Sequence, residues 1–184
     1  MKATASALIL AAALLSAAAC GEGRAIFNVD VYSFIQGSGN DTIPYFIPPG
    51  TSDTLSNTAQ EIKLPPGFGS SIVDSVRITG TANLINSAGA GRIGFRLYID
   101  STSAGTLNAS ALAVDIPPDT VFGTNVTPIV ITGDLSGALK TLFNASSLWV
   151  RLELIGNNTG AVAATGDMAL TALQVRVVIQ DKIF

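Results

Sequence analysis

Residues 72–100, IVDSVRITGTANLINSAGAGRIGFRLYID, decide the fold of this chain. In each half of the stretch, apolar side chains alternate with polar ones. The inward-facing set is Val76, Ile78, Ala82 and Leu84 in the first half and Ile93, Phe95, Leu97 and Ile99 in the second. The outward positions of the second half hold Arg92, Arg96, Tyr98 and Asp100. A period of two is typical of a strand with one buried face. Because residues 86–91 between the halves are small turn formers, the stretch predicts two strands joined as a hairpin.

The same period predicts further strands on both sides of this stretch. They cover residues 25–35, 54–64, 112–116, 126–132, 148–155 and 169–180. Prolines and glycines predict a loop over residues 36–50, and Pro117 and Pro118 are expected to end the strand of 112–116. Pro128 predicts an edge strand or a bulge, because proline cannot donate to a sheet ladder.

One segment has helical spacing instead. Asp134 is a suitable N-cap, and the apolar side chains that follow recur at three and four residues. These side chains are Leu135, Ala138, Leu139, Leu142 and Phe143. With seven or eight strands and one short helix, residues 24–184 are predicted to form a single all-β domain. The expected architecture is an antiparallel β-sandwich, of jelly-roll type.

The first twenty residues carry the features of an export signal. Lys2 precedes an uncharged, alanine-rich and leucine-rich run, Ala3–Ala19, and the only cysteine, Cys20, follows it. This arrangement resembles the lipobox of bacterial lipoproteins. The resemblance implies that residues 1–19 are removed and that Cys20 carries the lipid anchor. A plain secretory signal and a membrane-spanning anchor are the alternatives.

The resemblance also implies a location. Gly21 after the cysteine favours the outer membrane of a bacterial cell envelope over inner-membrane retention. Residues 20–23 would form a short tether, which holds the domain within roughly 15 Å of the lipid surface at about 3.3 Å per residue. We therefore expect a lipid-anchored protein whose partners are the membrane and an envelope protein or a second copy of itself.

The composition of the chain excludes several classes of partner, catalytic site and metal site. The chain has 10 basic and 13 acidic side chains. Without Lys2 the balance is 9 against 13, formally −4, so no nucleic-acid partner is expected. Histidine is absent and Cys20 is the only cysteine. This excludes serine–histidine and cysteine–histidine catalysis, zinc sites made from histidine and cysteine, and a disulfide within one chain. We expect no cofactor and no enzymatic activity.

Three aromatic residues are the candidate ligand or partner contacts. Trp149 falls on the outward side of its strand with Arg151 and Glu153, whereas Tyr45 and Phe46 lie in a proline-rich loop. An outward aromatic can stack on a sugar or a protein partner, but large apolar side chains are usually buried. The open end of the domain's own core is the simplest place for the two loop residues.

Two other motifs are interpreted as turns. Gly89–Gly94 matches G-x-G-x-x-G, but it opens a strand rather than a helix, so no dinucleotide site is expected. The loop carboxylates lack the ordered spacing of a calcium loop. They are Asp41, Asp53, Asp115 and Asp119. Turn-forming side chains explain these positions, and no metal site is predicted.

The favoured hypothesis is a non-catalytic binding or assembly role in the cell envelope. One alternative is a carbohydrate-binding or glycan-processing module, and a second is a small outer-membrane β-barrel ending at Phe184. A flat, neutral sheet face rich in threonine and alanine would favour assembly. An open cleft with an aromatic side chain beside a carboxylate would favour carbohydrate binding.

Overall fold

The computed structural model describes residues 23–64 and 72–181 of the chain. Cys20, the predicted signal segment and Phe184 lie outside the described residues, so the expectations for them stay predictions. The described part consists mainly of strands, with one short α-helix and three 3₁₀ turns.

Ten strands follow each other along the chain. They are β1 (Gly23–Asp30), β2 (Thr42–Ile47), β3 (Ser52–Ser56), β4 (Gln60–Lys63), β5 (Ile72–Ala88), β6 (Ala90–Asp100), β7 (Leu112–Phe122), β8 (Asn125–Asp134), β9 (Ser147–Asn157) and β10 (Ala164–Asp181). The helix α1 spans Val31–Gly37, and the 3₁₀ turns span Ala104–Leu107, Ala109–Ala111 and Ala138–Asn144.

The strands form two antiparallel five-stranded sheets. Sheet I has the order β1-β10-β5-β8, and β2 pairs with the other half of β10. Sheet II has the order β3-β9-β6-β7, and β4 pairs with the other half of β9. When β1 with β2, and β3 with β4, are each counted as one position, eight positions form two four-stranded sheets in jelly-roll order. The predicted antiparallel sandwich is confirmed.

The two sheets share one apolar core. Sheet I contributes Val76, Ile78 and Leu84, and sheet II contributes Phe95 and Leu97, each of them at most 1% exposed. The inward positions predicted for residues 72–100 are therefore confirmed. A β-barrel is one sheet that closes on itself. Because this chain forms two separate sheets that pack face to face, the β-barrel alternative is wrong.

The predicted hairpin of β5 and β6 is also wrong. β5 pairs with β10 and β8 in sheet I, whereas β6 pairs with β7 and β9 in sheet II. Gly89 connects the two sheets at a φ of +71°, where a Cβ would lie 2.1 Å from the carbonyl oxygen of Ala163. A small-residue turn between two alternating segments looks the same in sequence whether the chain stays in one sheet or crosses to the other.

Residues 25–64 differ from their prediction in three ways. The strand predicted to reach Ile35 ends at Asp30, because the Asp30 side chain accepts a hydrogen bond from the Ser33 amide and caps α1. The predicted loop 36–50 contains β2, and the weak strand 54–64 is two strands, β3 and β4. The spacing of Val31 and Ile35, both buried, fits a helix as well as a strand.

Two further predictions need correction. Pro117 and Pro118 do not end β7, since the register of β6 with β7 shifts between Ile116 and Asp119 and the prolines occupy this irregularity on an edge strand. The helix predicted at 135–143 is a 3₁₀ turn without a side-chain cap. Pro128 does lie on an edge strand, β8, as predicted.

The two ends of the sandwich differ. The β2–β3, β5–β6, β7–β8 and β9–β10 connections all lie at one end, which we call the distal end. Gly23 pairs with Asp181 at the other, proximal end. β10 joins the two ends with 18 residues, roughly 55 Å at about 3.3 Å per residue.

Candidate functional site

The three aromatic candidates do not form one site. Tyr45 and Phe46 are neighbours on β2 but point to opposite sides of sheet I: Tyr45 is 3% exposed and Phe46 is 62% exposed. Trp149 is partly buried on the outer face of sheet II. The expectation that Tyr45 packs into the domain's own core is confirmed, whereas Phe46 remains at the surface.

Two buried asparagines hold the distal end together. The Asn86 amide nitrogen donates to the carbonyl oxygens of Ala88, Gly89 and Gly123, and its Oδ1 accepts the Tyr45 hydroxyl at 2.8 Å. Burial, and next the charge of Asp167, raise the pKa of Tyr45 to about 12. The Tyr45 hydroxyl is therefore a structural donor and not an acid at neutral pH.

The second asparagine is Asn158, which is fully buried. Its Nδ2 donates to the carbonyl oxygens of Ile47 and Val162 at 2.9 and 2.8 Å, and its Oδ1 accepts the Gly160 amide at 2.8 Å. This side chain joins the end of β2 to the β9–β10 loop. Sequence reasoning missed both asparagines, because asparagine in a predicted turn normally indicates a local bond and not a link between distant loops.

The distal half of the outer face of sheet I is neutral and partly apolar. Four exposed large apolar side chains lie on it: Phe46, Ile85, Val126 and Val130, from 36% to 70% exposed. In register, Pro44 faces Asp167, Asp167 faces Ile85, and Ile85 faces Val126. Small and polar side chains, among them Thr81, Asn83 and Ala169, separate the apolar ones. We call this surface, residues 44, 46, 81, 83, 85, 126, 128, 130, 167 and 169, the distal face.

Charge is scarce on the strands that form the distal face. Residues 42–47, 79–88, 125–132 and 164–172 contain a single charged side chain, Asp167. β8, which supplies Val126 and Val130, is an edge strand of sheet I. The surface thus has the low charge that the assembly hypothesis requires, but its exposed side chains are mainly large and apolar and not threonine and alanine.

The outer face of sheet II is organised differently. Arg151 donates to Glu153 at 2.8 Å and, through Nε and a terminal nitrogen, to the Thr106 carbonyl oxygen at 3.1 and 3.0 Å. The Tyr98 hydroxyl donates to Glu153 at 3.0 Å, and the guanidinium carbon of Arg151 lies 4.2 Å from the centre of the Tyr98 ring. We call Tyr98, Arg151 and Glu153, with Arg96 and Asp115 at their edge, the charged network.

The charged network is satisfied from within the molecule. Burial and the hydrogen bond to Glu153 raise the pKa of Tyr98. Arg96 lies 3.2 Å from Asp115 and 3.6 Å from Glu153, and its hydrogen bond to Asp115 raises the pKa of Arg96. Thr106 belongs to the 3₁₀ segment between β6 and β7, which covers this face. The two arginines and two carboxylates of the network are thus paired with each other within the molecule.

Trp149 lies beside this network, with Glu61 and Asp100 as its direct neighbours on the two adjacent strands. It is thus an aromatic side chain between two carboxylates, which is one feature of the carbohydrate alternative. Its partial burial shows that the sheet's own neighbours already cover part of the ring.

Three of the four carboxylates predicted to lie in loops lie in strands, Asp53 in β3 and Asp115 and Asp119 in β7. Asp53 and Asp119 each accept the amide of the next residue, at 2.8 and 2.7 Å, and Asp115 pairs with Arg96 on the adjacent strand. Within residues 23–64 and 72–181, no group of three or more histidine, cysteine, aspartate or glutamate side chains is placed to hold a metal ion. In the same part of the chain, no helix has the length and apolar character needed to cross a membrane.

No protein-family model and no curated protein matches this sequence. Several solved structures are similar in fold. A structure of infectious bursal disease virus, Gx strain, matches 88% of this chain at 9% identity with a TM-score of 0.47; the chain spans 33% of that protein. The CBM22-1 xylan-binding domain from Paenibacillus barcinonensis matches 85% of this chain and 97% of its own, at 13% identity and a TM-score of 0.31.

A third similar structure is the K1 cleaved adhesin domain of Lys-gingipain from Porphyromonas gingivalis. It matches 82% of this chain and 89% of its own length, at 10% identity and a TM-score of 0.31. At such low identities and TM-scores, these similarities carry no information on function. The function has to be argued from the surfaces of this chain.

Proposed function

We propose that this protein is a non-catalytic, lipid-anchored protein of the bacterial cell envelope that associates with a second copy of itself through the distal face. The observation that carries the proposal is the clustering of Phe46, Ile85, Val126 and Val130 on strands that hold a single charge. Extended apolar patches are uncommon on monomeric soluble proteins and mark sites of interaction.

Neutrality favours a second copy as the partner. In a two-fold dimer the same patch meets itself, so a patch that carries charges of one sign repels its copy. A face whose strands carry only Asp167 avoids this repulsion almost completely. Two such faces can pack with their apolar side chains interleaved, as the inner faces of a sandwich do.

The anchor rests on the lipobox-like segment that ends at Cys20. Gly23 begins β1 at the proximal end, so a lipid on Cys20 would hold that end at the membrane. The distal end would then point away from the membrane, roughly 55 Å from the anchored end at about 3.3 Å per residue. A distal face raised in this way is accessible to the same face of a neighbouring copy.

A non-catalytic role is supported by the chemistry of the side chains. The chain contains no histidine, and Cys20 would be occupied by lipid. The most buried carboxylate among the described residues, that of Glu153, is bonded to arginine and tyrosine. For the sugar-binding alternative, Tyr45 is too buried to stack on a sugar, which leaves Trp149 beside Glu61 and Asp100 as its main candidate.

The test uses two exposed valines. Val130 lies on the distal face and is 70% exposed, whereas Val162 lies in the β9–β10 loop and is 62% exposed. The full chain, purified from the envelope in uncharged detergent, is compared with Val130→Lys and Val162→Lys by sedimentation equilibrium. We expect a dimer for the wild type and for Val162→Lys, and at least about tenfold weaker dimerisation for Val130→Lys, because each copy would bring a lysine charge into an otherwise apolar interface.

A wild-type chain that stays monomeric at every concentration would overturn self-association. Equal weakening by the two lysine substitutions would overturn the assignment to the distal face, because only one of them lies on it.

A further inference from the structure

The proximal half of the outer face of sheet I contains a groove of about 320 Å³. Its walls are formed by Arg24 and Ile26 of β1, Asp74 and Arg77 of β5, and Arg176 and Val178 of β10. We call it the proximal groove. None of these residues belongs to the distal face, and no role has been assigned to any of them so far.

A bulge shapes the groove. The register of β5 with β10 shifts where Val178 faces Ser75 and the next residue, Ile179, faces Val73, so Asp74 is an extra residue on β5. Bulges redirect side chains and are frequent beside functional sites. Here Asp74 lies 3.8 Å from Arg24 and forms an ion pair with it. The other two arginines of the groove, Arg77 and Arg176, are not paired with Asp74.

Those two arginines oppose each other. Arg77 of β5 and Arg176 of β10 are direct cross-strand partners, and like charges in this position destabilise a sheet. On their outer sides Arg77 faces Asp134 and Arg176 faces Asn28. Hydrogen bonds from Ser136, and next the charge of Arg77, lower the pKa of Asp134. The lining of the groove contains three arginines and one aspartate, so the groove is positive although the whole chain is acidic.

Apolar side chains border this charge. Ile26 is 53% exposed and Ile72 is 48% exposed, and they face Val178 and Gln180 on β10. Arginine guanidinium groups bind phosphate through paired hydrogen bonds, and exposed isoleucines beside them suit the boundary between headgroups and acyl chains. A soluble anion would need the arginines but not the isoleucines.

We propose that the proximal groove binds the phosphate of an anionic lipid headgroup, with Arg77 and Arg176 on the phosphate and with Ile26 and Ile72 against the apolar part of the lipid. The choice of a lipid over a free anion rests partly on the proposed anchor, because Arg24 follows Cys20 by only four residues. The bound phosphate would offset the repulsion between the two opposed arginines. The groove would thereby orient the anchored domain on the membrane.

The test is a thermal-shift titration of the full chain purified in uncharged detergent. The probes are short-chain phosphatidylglycerol, short-chain phosphatidylcholine and inorganic phosphate. We expect phosphatidylglycerol to raise the melting temperature more than either of the others. In the double variant Arg77→Gln/Arg176→Gln, the apparent affinity for phosphatidylglycerol should fall about fivefold for each arginine removed. Arg92→Gln, an exposed arginine on sheet II whose guanidinium donates to the Pro118 carbonyl oxygen, is the matched control and should behave as wild type.

A second variant tests the apolar contribution. Ile26→Ser/Ile72→Ser should abolish the preference for phosphatidylglycerol over inorganic phosphate while retaining phosphate binding. Equal shifts of the melting temperature with phosphatidylglycerol and phosphatidylcholine, or an unchanged response in the double arginine variant, would overturn phosphate binding by the groove. If inorganic phosphate shifts the melting temperature of the wild type as strongly as phosphatidylglycerol does, the ligand is a free anion and not a lipid.

The anchor is tested separately, so that the two ideas can fail independently. Cys20→Ser should release the mature protein from the membrane fraction, and mass spectrometry of the wild type should show lipid on Cys20. A free thiol on a wild-type mature N-terminus would overturn the anchor, and the titration would still decide whether the groove binds the headgroup.

Discussion

The outer faces of the two sheets use their charges in opposite ways. On sheet II, Arg151 and Glu153 are 6% and 9% exposed, and the segment around Thr106 covers them. On sheet I, Arg77 and Arg176 are exposed and oppose each other, and the distal half is almost without charge. On sheet II the charges of the network are paired within one molecule. On sheet I two opposed arginines lie at one end of the face and a group of exposed apolar side chains lies at the other.

Replacing one arginine by methionine on each face tests this contrast with the largest expected effect. Arg151→Met keeps an unbranched, largely apolar stem but leaves the nearly buried Glu153 carboxylate without its closest cation. We expect a loss of about 3–5 kcal/mol in the free energy of unfolding, as found when one partner of a buried ion pair is removed. Arg176→Met should change that free energy by about 0.5 kcal/mol or less, and in the stabilising direction, because it removes the repulsion with Arg77.

Urea denaturation of both variants measures the two effects. Comparable losses would mean that the outer face of sheet I is as tightly organised as that of sheet II, and the contrast between them would be wrong.

The next effect concerns Trp149, on which the sugar-binding alternative depends. As a partly buried ring between Glu61 and Asp100, it should contribute about 2 kcal/mol to stability, less than a fully buried tryptophan. Trp149→Ala is therefore expected to lower the melting temperature, and the wild type is expected to bind no glycan on an array. A clear glycan hit that Trp149→Ala loses at unchanged melting temperature would replace the assembly proposal with carbohydrate binding.

The sandwich could be predicted from the sequence because burial in a strand repeats every two residues. Phe95 and Leu97 lie in the core as that period requires. The connection between sheets could not be predicted in the same way. The Gly89 turn has the local sequence of a hairpin, and only the distant partners of β5 and β6 place these strands in different sheets.

The surfaces were predicted less well, for a physical reason. Parity correctly placed Trp149, Arg151 and Glu153 on the outward side of β9. It could not show that the segment around Thr106 folds back over Arg151, because this contact joins residues 45 positions apart. The opposed Arg77 and Arg176 are likewise invisible without the register between β5 and β10. Patterns within one strand show which side chains point outward but not what lies opposite them.

The smallest expected effect concerns the distal end, which the structure holds together by buried hydrogen bonds and not by charges. Tyr45→Phe removes the donor to Asn86 Oδ1 and should cost about 1–2 kcal/mol at neutral pH. Because the fold raises the pKa of Tyr45 from 10.0 to about 12, its contribution is complete below pH 10 and is lost as the pH rises towards 12. The difference in unfolding free energy between wild type and Tyr45→Phe should therefore shrink over that range. Tyr98 remains in both proteins, so its own titration cancels from the difference. If this difference in unfolding free energy stays constant up to pH 12, Tyr45 is not desolvated at the distal end. The loops there would then be held less tightly than the hydrogen bonds of Asn86 and Asn158 indicate.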